Sequence, residues 1–215
     1  MNKIIIGAFL ILLTGLKSLA QVDQAKAILA EVSKRYKTYD AIKTEFTYTI
    51  DNPQAKIKEK QAGTLYLKAK TNKYRVVLNN QEIISDGKSQ WTYLKDDKEV
   101  QVSDVDQTND ALNPAKIFLI YEKGYKYLYT GDSKINNRVY HNIDLTPIEA
   151  GKSFFKVRLQ IDKVNKRISN AVIFDKNGNH YTYEIKTFTP SASLPETTFA
   201  FDSKKYPGVE VVDLR

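Results

Sequence analysis

Residues 84–94 read ISDGKSQWTYL, and the stretch has two incompatible readings. Ser85-x-x-Lys88 is the spacing at which a serine nucleophile and its lysine base meet one turn apart on a helix. Asp86-Gly87 is a hairpin signal, because a tight turn needs positive φ angles that glycine adopts without strain. The flanks decide between them. Gln81-Glu82-Ile83-Ile84 and Gln90-Trp91-Thr92-Tyr93 are strand-like. The Ser-Asp-Asn and Lys-Thr-Gly elements that accompany Ser-x-x-Lys in penicillin-recognising enzymes are absent. The stretch is a hairpin whose turn sets the register of the next strand, and the fold is to be read from strand periodicity.

That periodicity extends in both directions. Phe46, Tyr48 and Ile50, then Leu65, Leu67 and Ala69, then Tyr74, Val76 and Leu78 alternate with polar residues and predict strands with one apolar face. Tyr125, Tyr127 and Tyr129, then Val139, Ile143 and Leu145, then Phe155, Val157, Leu159 and Ile161 repeat the pattern. Val172 and Phe174, then Tyr181, Tyr183 and Ile185, close the series. Asn136-Asn137 and Asn177-Gly178 supply turns between runs. Roughly ten strands follow by this count, mostly antiparallel neighbours. Residues 206–213 read as an extra strand.

Two segments are helical by period. Ala25, Ile28, Leu29, Val32, Tyr36 and Tyr39 fall on one helical face, with Lys26, Glu31, Lys34 and Lys37 on the other, so residues 23–38 predict an amphipathic helix. Asn113, Pro114 and Gly124 are placed as N-cap, first helical residue and terminator. They frame a short helix over residues 115–123, although the five consecutive apolar residues 117–121 also suit a buried strand.

At the N-terminus Lys3 precedes an apolar run, and Ser18-Leu19-Ala20 ends in small residues that a signal peptidase reads. We expect a secretory signal over residues 1–20, cleaved after Ala20, followed by a single domain over residues 21–215 in the periplasm. The chain has no cysteine, which excludes disulfides and an N-terminal lipid-modified cysteine. Loss of Lys3 and Lys17 takes the formal charge from +8 to +6, spread as single lysines. This suits an anionic membrane surface, an acidic partner, or simply a solvated surface. Nucleic acid is a poor partner for an exported chain without arginine-aromatic clusters.

Catalytic and metal-binding patterns are missing. His141 and His180 are the only histidines, and no Gly-x-Ser-x-Gly, His-Glu-x-x-His or phosphate-binding glycine loop occurs. The residues from Asp104 to Asp110 alternate oxygen-bearing side chains as a calcium loop does, but Asn109 and Ala115 stand where the loop requires glycine and glutamate. No enzyme, metal or cofactor is expected.

The chain resembles the periplasmic lipoprotein carrier family of the LolA type. The likeness is carried by Gly63-Thr64-Leu65-Tyr66-Leu67-Lys68, by Tyr74-Arg75-Val76, by Ser85-Asp86-Gly87-Lys88 with Trp91 and Tyr93, and by Asn113-Pro114. It covers residues 40–122; the second half agrees in strand pattern and little else. The resemblance implies an α+β, mostly β fold: an antiparallel, unclosed β-barrel of about eleven strands, with helices as a lid over a hydrophobic cavity. It implies a monomeric carrier that takes the acyl chains of a lipoprotein released by an inner-membrane ABC transporter and delivers them to an outer-membrane acceptor. One departure stands out. Ala69-Lys70 replaces the Arg-Pro in which the family's arginine is thought to hold the lid, leaving Lys70 or Arg75 as stand-ins.

On this reading the lipid-contacting residues are Leu65, Leu67, Tyr74, Val76, Trp91 and Tyr93 on the sheet, with Ile117, Phe118 and Tyr121 on the lid. Core packing accounts for the same residues equally well. A carrier of another lipid or glycolipid, and a non-catalytic lipid-sensing or interaction module on the same sheet, remain alternatives.

Overall fold

A computed structural model describes residues 5–105, 114–118, 121, 123–190 and 193–215. Twelve strands form one sheet in the order β12-β6-β5-β4-β3-β2-β1-β11-β10-β9-β8-β7. The strands are β1 Ala41–Asn52, β2 Ile57–Lys68, β3 Lys73–Leu78, β4 Gln81–Asp86, β5 Ser89–Leu94 and β6 Glu99–Asp104, then β7 Tyr125–Ile135, β8 Arg138–Pro147, β9 Phe154–Asp162, β10 Arg167–Asp175, β11 His180–Pro190 and β12 Glu210–Asp213. Every pairing is antiparallel except β12 on β6, which is parallel. The sheet is unclosed, with β7 and β12 at its edges. Two more strands exist than the periodicity shows: β6, whose two valines stand beside an acidic run, and β12, which is the extra C-terminal strand.

The turns follow their residues. Gly87 sits at φ +97, Asn136 and Asn137 at +47 and +63, and Gly178 at +84. Ser85 and Asp86 complete the hairpin read above. The Ser85 hydroxyl donates to the Asn72 carbonyl at 2.8 Å and accepts from the Gly87 N–H at 3.1 Å. One Asp86 carboxylate oxygen accepts the N–H groups of Lys88 and Ser89, each at 2.9 Å. The serine is buried and committed to the turn, its hydroxyl bonded to backbone groups.

Helix α1 runs over Ile5–Tyr36, ending two residues before its expected end and beginning well before its expected start, so it also spans most of the expected signal segment. Ala25, Ile28, Leu29, Val32 and Tyr36 are buried, at the helical spacing read from the sequence. No helix among the described residues is long and apolar enough to cross a membrane. The second helix, α2, is only Pro114–Ile117; Phe118 and Tyr121 follow in turns. The acidic run past Val105 and the cap residue Asn113 lie outside the described residues.

Both helices pack on one face of the sheet, here the inner face. Paired residues across a ladder share a face, which lets its floor be traced from strand to strand. It runs from Leu145 and Ile143 through Val157 and Leu159 to Ile173 and Ala171. It continues through Tyr181 and Tyr183 to Ile50 and Tyr48, then Thr44, Leu65 and Val76. Apart from Ile50 and Thr44, these residues and the buried face of α1 form one continuous core. Two strands depart from the expected phase. Val172 and Phe174 point outward and Ala171 and Ile173 inward. Phe154 is buried while Phe155 is exposed, because a register shift between Phe174 and Asp175 changes the partner row at the start of β9.

Candidate functional site

The inner face is largely apolar from β8 to β3, and two of its tyrosine phenols are raised by burial. Burial pushes the Tyr48 phenol up to about 12, helped by nearby Tyr181, and raises Tyr183 well above its ordinary value. The Tyr48 and Tyr183 rings lie 4.8 Å apart, with Phe46 against Tyr183 at 6.0 Å. Gly63 makes room for this packing: a Cβ there would stand 2.5 Å from the Phe46 ring and 2.7 Å from Leu78.

Over this floor lie Ile117 and Phe118, each almost wholly buried. Phe118 contacts Tyr36 of α1 edge-on at 5.5 Å and Phe188 of β11 at 6.1 Å, and Tyr36 stacks on Phe188 at 6.0 Å. The Tyr36 hydroxyl accepts the Ile168 N–H at 2.9 Å, tying the end of α1 to β10. Burial raises the Tyr36 phenol, outweighing that hydrogen bond. The space left among Thr44, Phe46, Leu65, Ile117, Phe118 and Tyr183 is ≈ 10 Å³, about the room of one water. At this place the described side chains of Ile117 and Phe118 leave little room between α2 and the sheet.

Seven of the nine residues singled out from the sequence join the main core, six of them at this place. Leu65, Leu67, Tyr74 and Val76 form the floor on β2 and β3 and Ile117 and Phe118 cover it, while Tyr121 is buried in the same core but lies beside α1 and Tyr127. Trp91 and Tyr93 do not join them. The inner row passes from Val76 to Ile83 and then to Thr92, and from Tyr74 to Ser85 and then to Gln90. Their neighbours Trp91 and Tyr93 must project from the opposite, outer face. The expectation that they face the lipid is corrected here: period two identifies the apolar row of a strand, but not which side of the sheet the helices take.

At β5 and β6 the inner face turns polar, with Gln90, Thr92, Gln101 and Ser103 in that row. The outer face turns apolar in exchange. Ile84, Val100 and Val102 are buried there, and Phe199 of the C-terminal segment is buried too, all outside the main core. Trp91 stacks on Phe201 at 5.9 Å, and Tyr93 meets Tyr206 edge-on at 4.9 Å. Strand β4 is the hand-over, contributing Ile83 to one face and Ile84 to the other.

The stand-ins for the lid-holding arginine are also placed elsewhere. Arg75 lies in the outward row and pairs with Glu82, whose other oxygen accepts from the Tyr206 hydroxyl at 3.0 Å. Lys70 is exposed in the β2–β3 turn at φ +61. The described contacts that hold Phe118 are instead the rings of Tyr36 and Phe188. Sequence reading passed over Tyr36 as a contact of the second helix and omitted Phe188 altogether. The even aromatic spacing along β11, from Tyr181 to Tyr183 and then to Phe188 past a bulge, is a signal only once the Glu45/Phe46 register shift is known.

The two histidines have structural partners. His141 Nδ1 lies 2.6 Å from Asp132 Oδ1, and the His180 ring meets Phe174 at 4.8 Å. Burial alone would raise the Asp132 carboxyl. Hydrogen bonds from Tyr129, His141 and Lys163 outweigh it and hold the group at about 2.

The family model for the outer membrane lipoprotein carrier protein LolA matches residues 37–202, beginning one residue past α1. No curated protein sequence matches the chain. Among solved structures, an uncharacterized conserved protein from Thermus thermophilus is 17% identical with a TM-score of 0.55, over 88% of this chain and 99% of its own. A putative outer membrane lipoprotein-sorting protein domain from Vibrio parahaemolyticus is 13% identical with a TM-score of 0.51, over 83% of this chain and 97% of its own. A DUF1329 family protein from Desulfovibrio piger is 11% identical with a TM-score of 0.50, over 84% and 97%. At these identities the likeness is one of fold. With the family model spanning residues 37–202, and with them most of the sheet, the chain belongs to the LolA family of outer membrane lipoprotein carrier proteins.

Proposed function

We propose that this chain is a periplasmic carrier that holds the acyl chains of lipoproteins against the inner face of its sheet. It is exported by its N-terminal segment, cleaved after Ala20, and acts without catalysis. It takes cargo from an inner-membrane ABC transporter, passes it to an outer-membrane acceptor, and works as a monomer.

The observation that carries the reading is the filled space under α2. Ile117 and Phe118 occupy an apolar floor as an acyl chain would, and the contacts described for Phe118 are rings. Ring contacts are non-directional, so a chain of CH₂ groups replaces them without leaving a buried polar group unpaired. Cargo binding is then an exchange: α2 lifts, Phe118 leaves the floor, and the acyl chains take its place. Shielding is needed because three acyl chains of about fifteen carbons, at ~0.8 kcal/mol per CH₂, would cost on the order of 30 kcal/mol to expose. An exchange against the chain's own side chains keeps the net affinity far below that figure. Hand-over then needs only a small bias, about 1.4 kcal/mol for each tenfold.

The test is mass spectrometry of the protein purified from its native envelope, with solvent extraction of whatever it holds. Acylated peptide supports the proposal. Free glycolipid points to a carrier of another lipid. Repeatedly empty protein that also refuses a synthetic triacylated peptide leaves only an interaction module and sinks the carrier reading.

A further inference from the structure

A second concavity lies beside α1, apart from the floor under α2. It has a volume of ≈ 320 Å³, within the range of small-molecule sites. One wall is a stripe of α1, Lys26, Leu29, Ala30 and Ser33, continued by Lys37 just past its end. The spacing of the first four puts them on one helical face and stretches the groove over about 10 Å of the helix. The other wall is Tyr121, Lys123 and Tyr127. The Tyr127 hydroxyl donates to the Tyr121 carbonyl at 2.8 Å, tying two residues of this wall together.

The lining is amphipathic in a particular way. Leu29 is buried at the base, the two tyrosines supply ring surface, and three lysines stand around the apolar part; none of the eight lining residues is acidic. Lys26 and Lys123 are exposed and face the groove from opposite walls. Acyl chains alone have no use for cations. A ligand with an apolar tail and a negative head uses both parts, since lysine binds phosphate as a point charge while its stem lies along apolar surface.

We propose that this groove binds a phosphate-bearing amphiphile, its head between Lys26 and Lys123 and its tail along Leu29 and Tyr127. This goes beyond the carrier reading. The groove shares only Tyr121 with the surface assigned to lipoprotein acyl chains, so either can fail alone.

The test is titration calorimetry with lauroyl lysophosphatidate and with uncharged monolaurin, both below micelle formation, at low and high salt. The wild-type chain is expected to prefer the phosphate by about tenfold, with the preference falling as salt rises. Lys26→Glu/Lys123→Glu is expected to abolish the preference while leaving the melting temperature and the uptake of triacylated peptide unchanged. Lys60→Glu/Lys134→Glu, with the same change in net charge outside the groove, is expected to keep it. Equal affinity for the two amphiphiles, or equal loss in the control variant, overturns the proposal. Sedimentation with phosphatidylglycerol vesicles that depends on Lys26 and Lys123 assigns the head to a bilayer lipid, and binding of the monomer alone assigns it to a free amphiphile. Absence of both overturns the site.

Discussion

The two faces of this sheet are covered in opposite ways. On the outer face, at β3 to β6, the cover is the C-terminal segment, and directional bonds pin it. Glu196 bridges Lys68 and Lys73, Tyr206 donates to Glu82, and β12 extends the sheet in register with β6. On the inner face, Phe118 is held by the rings of Tyr36 and Phe188 over a floor that accepts any apolar group. Hydrogen bonds and ion pairs lose much when displaced, because they strand polar partners. Ring packing loses little when another apolar surface takes its place. The pinned strap and the cover proposed to exchange thus differ in chemistry.

The largest break in this comparison is Glu82→Ala. It strands the half-buried Arg75 guanidinium and unties Tyr206, and should cost about 3 kcal/mol by denaturant unfolding, with the β12 amides losing protection first. Gly63→Ala attacks the inner floor by overpacking against Phe46 and Leu78. It should cost about 1–3 kcal/mol, read as a lower melting temperature.

Phe118→Ala separates the two covers. Amide exchange at Ala115 and Ile117 should accelerate by about tenfold or more, while the β12 amides keep their protection. If β12 loosens equally, the covers are one cooperative unit and the contrast drawn here is wrong.

Acid unfolding probes the far edge of the inner face. The Asp132 carboxyl is held at about 2 in the folded chain against an ordinary value of 3.8. Its contribution to stability is therefore present above about pH 4 and is lost as pH falls from there towards 2. Asp132→Asn should flatten that limb of the stability profile. The smallest expected effect is a silence: Trp91 stacks on Phe201 on the outer face, so cargo on the inner face should leave its emission unchanged. A tryptophan placed at Phe118 should shift.

Much of the sheet was legible because period-two alternation is a local property, and Asp86-Gly87, Asn136-Asn137 and Asn177-Gly178 are turns for reasons internal to those residues. The floor residues Leu65, Leu67, Tyr74 and Val76 were legible for the same reason. Strand β6 was hidden by its shortness and acidic flank. Trp91 and Tyr93 were assigned to the wrong face because their apolar row is covered by Phe201 and Tyr206, more than a hundred residues later. The phase of β10 was lost for a related reason: Phe174 is apolar yet faces outward, where Lys156 lies over its ring at 4.2 Å.

The sequence by itself determined where the strands and hairpins lie, the buried face of α1, and the absence of the known catalytic motifs, because each depends on neighbours within a few residues. Only the tertiary structure decided which face of the sheet the helices cover, that the core crosses from the inner to the outer face at β4, and that Phe118 fills the space where cargo is proposed to lie. Those outcomes rest on contacts between segments far apart in the chain, and alternation defines two faces without naming the one that will be inside.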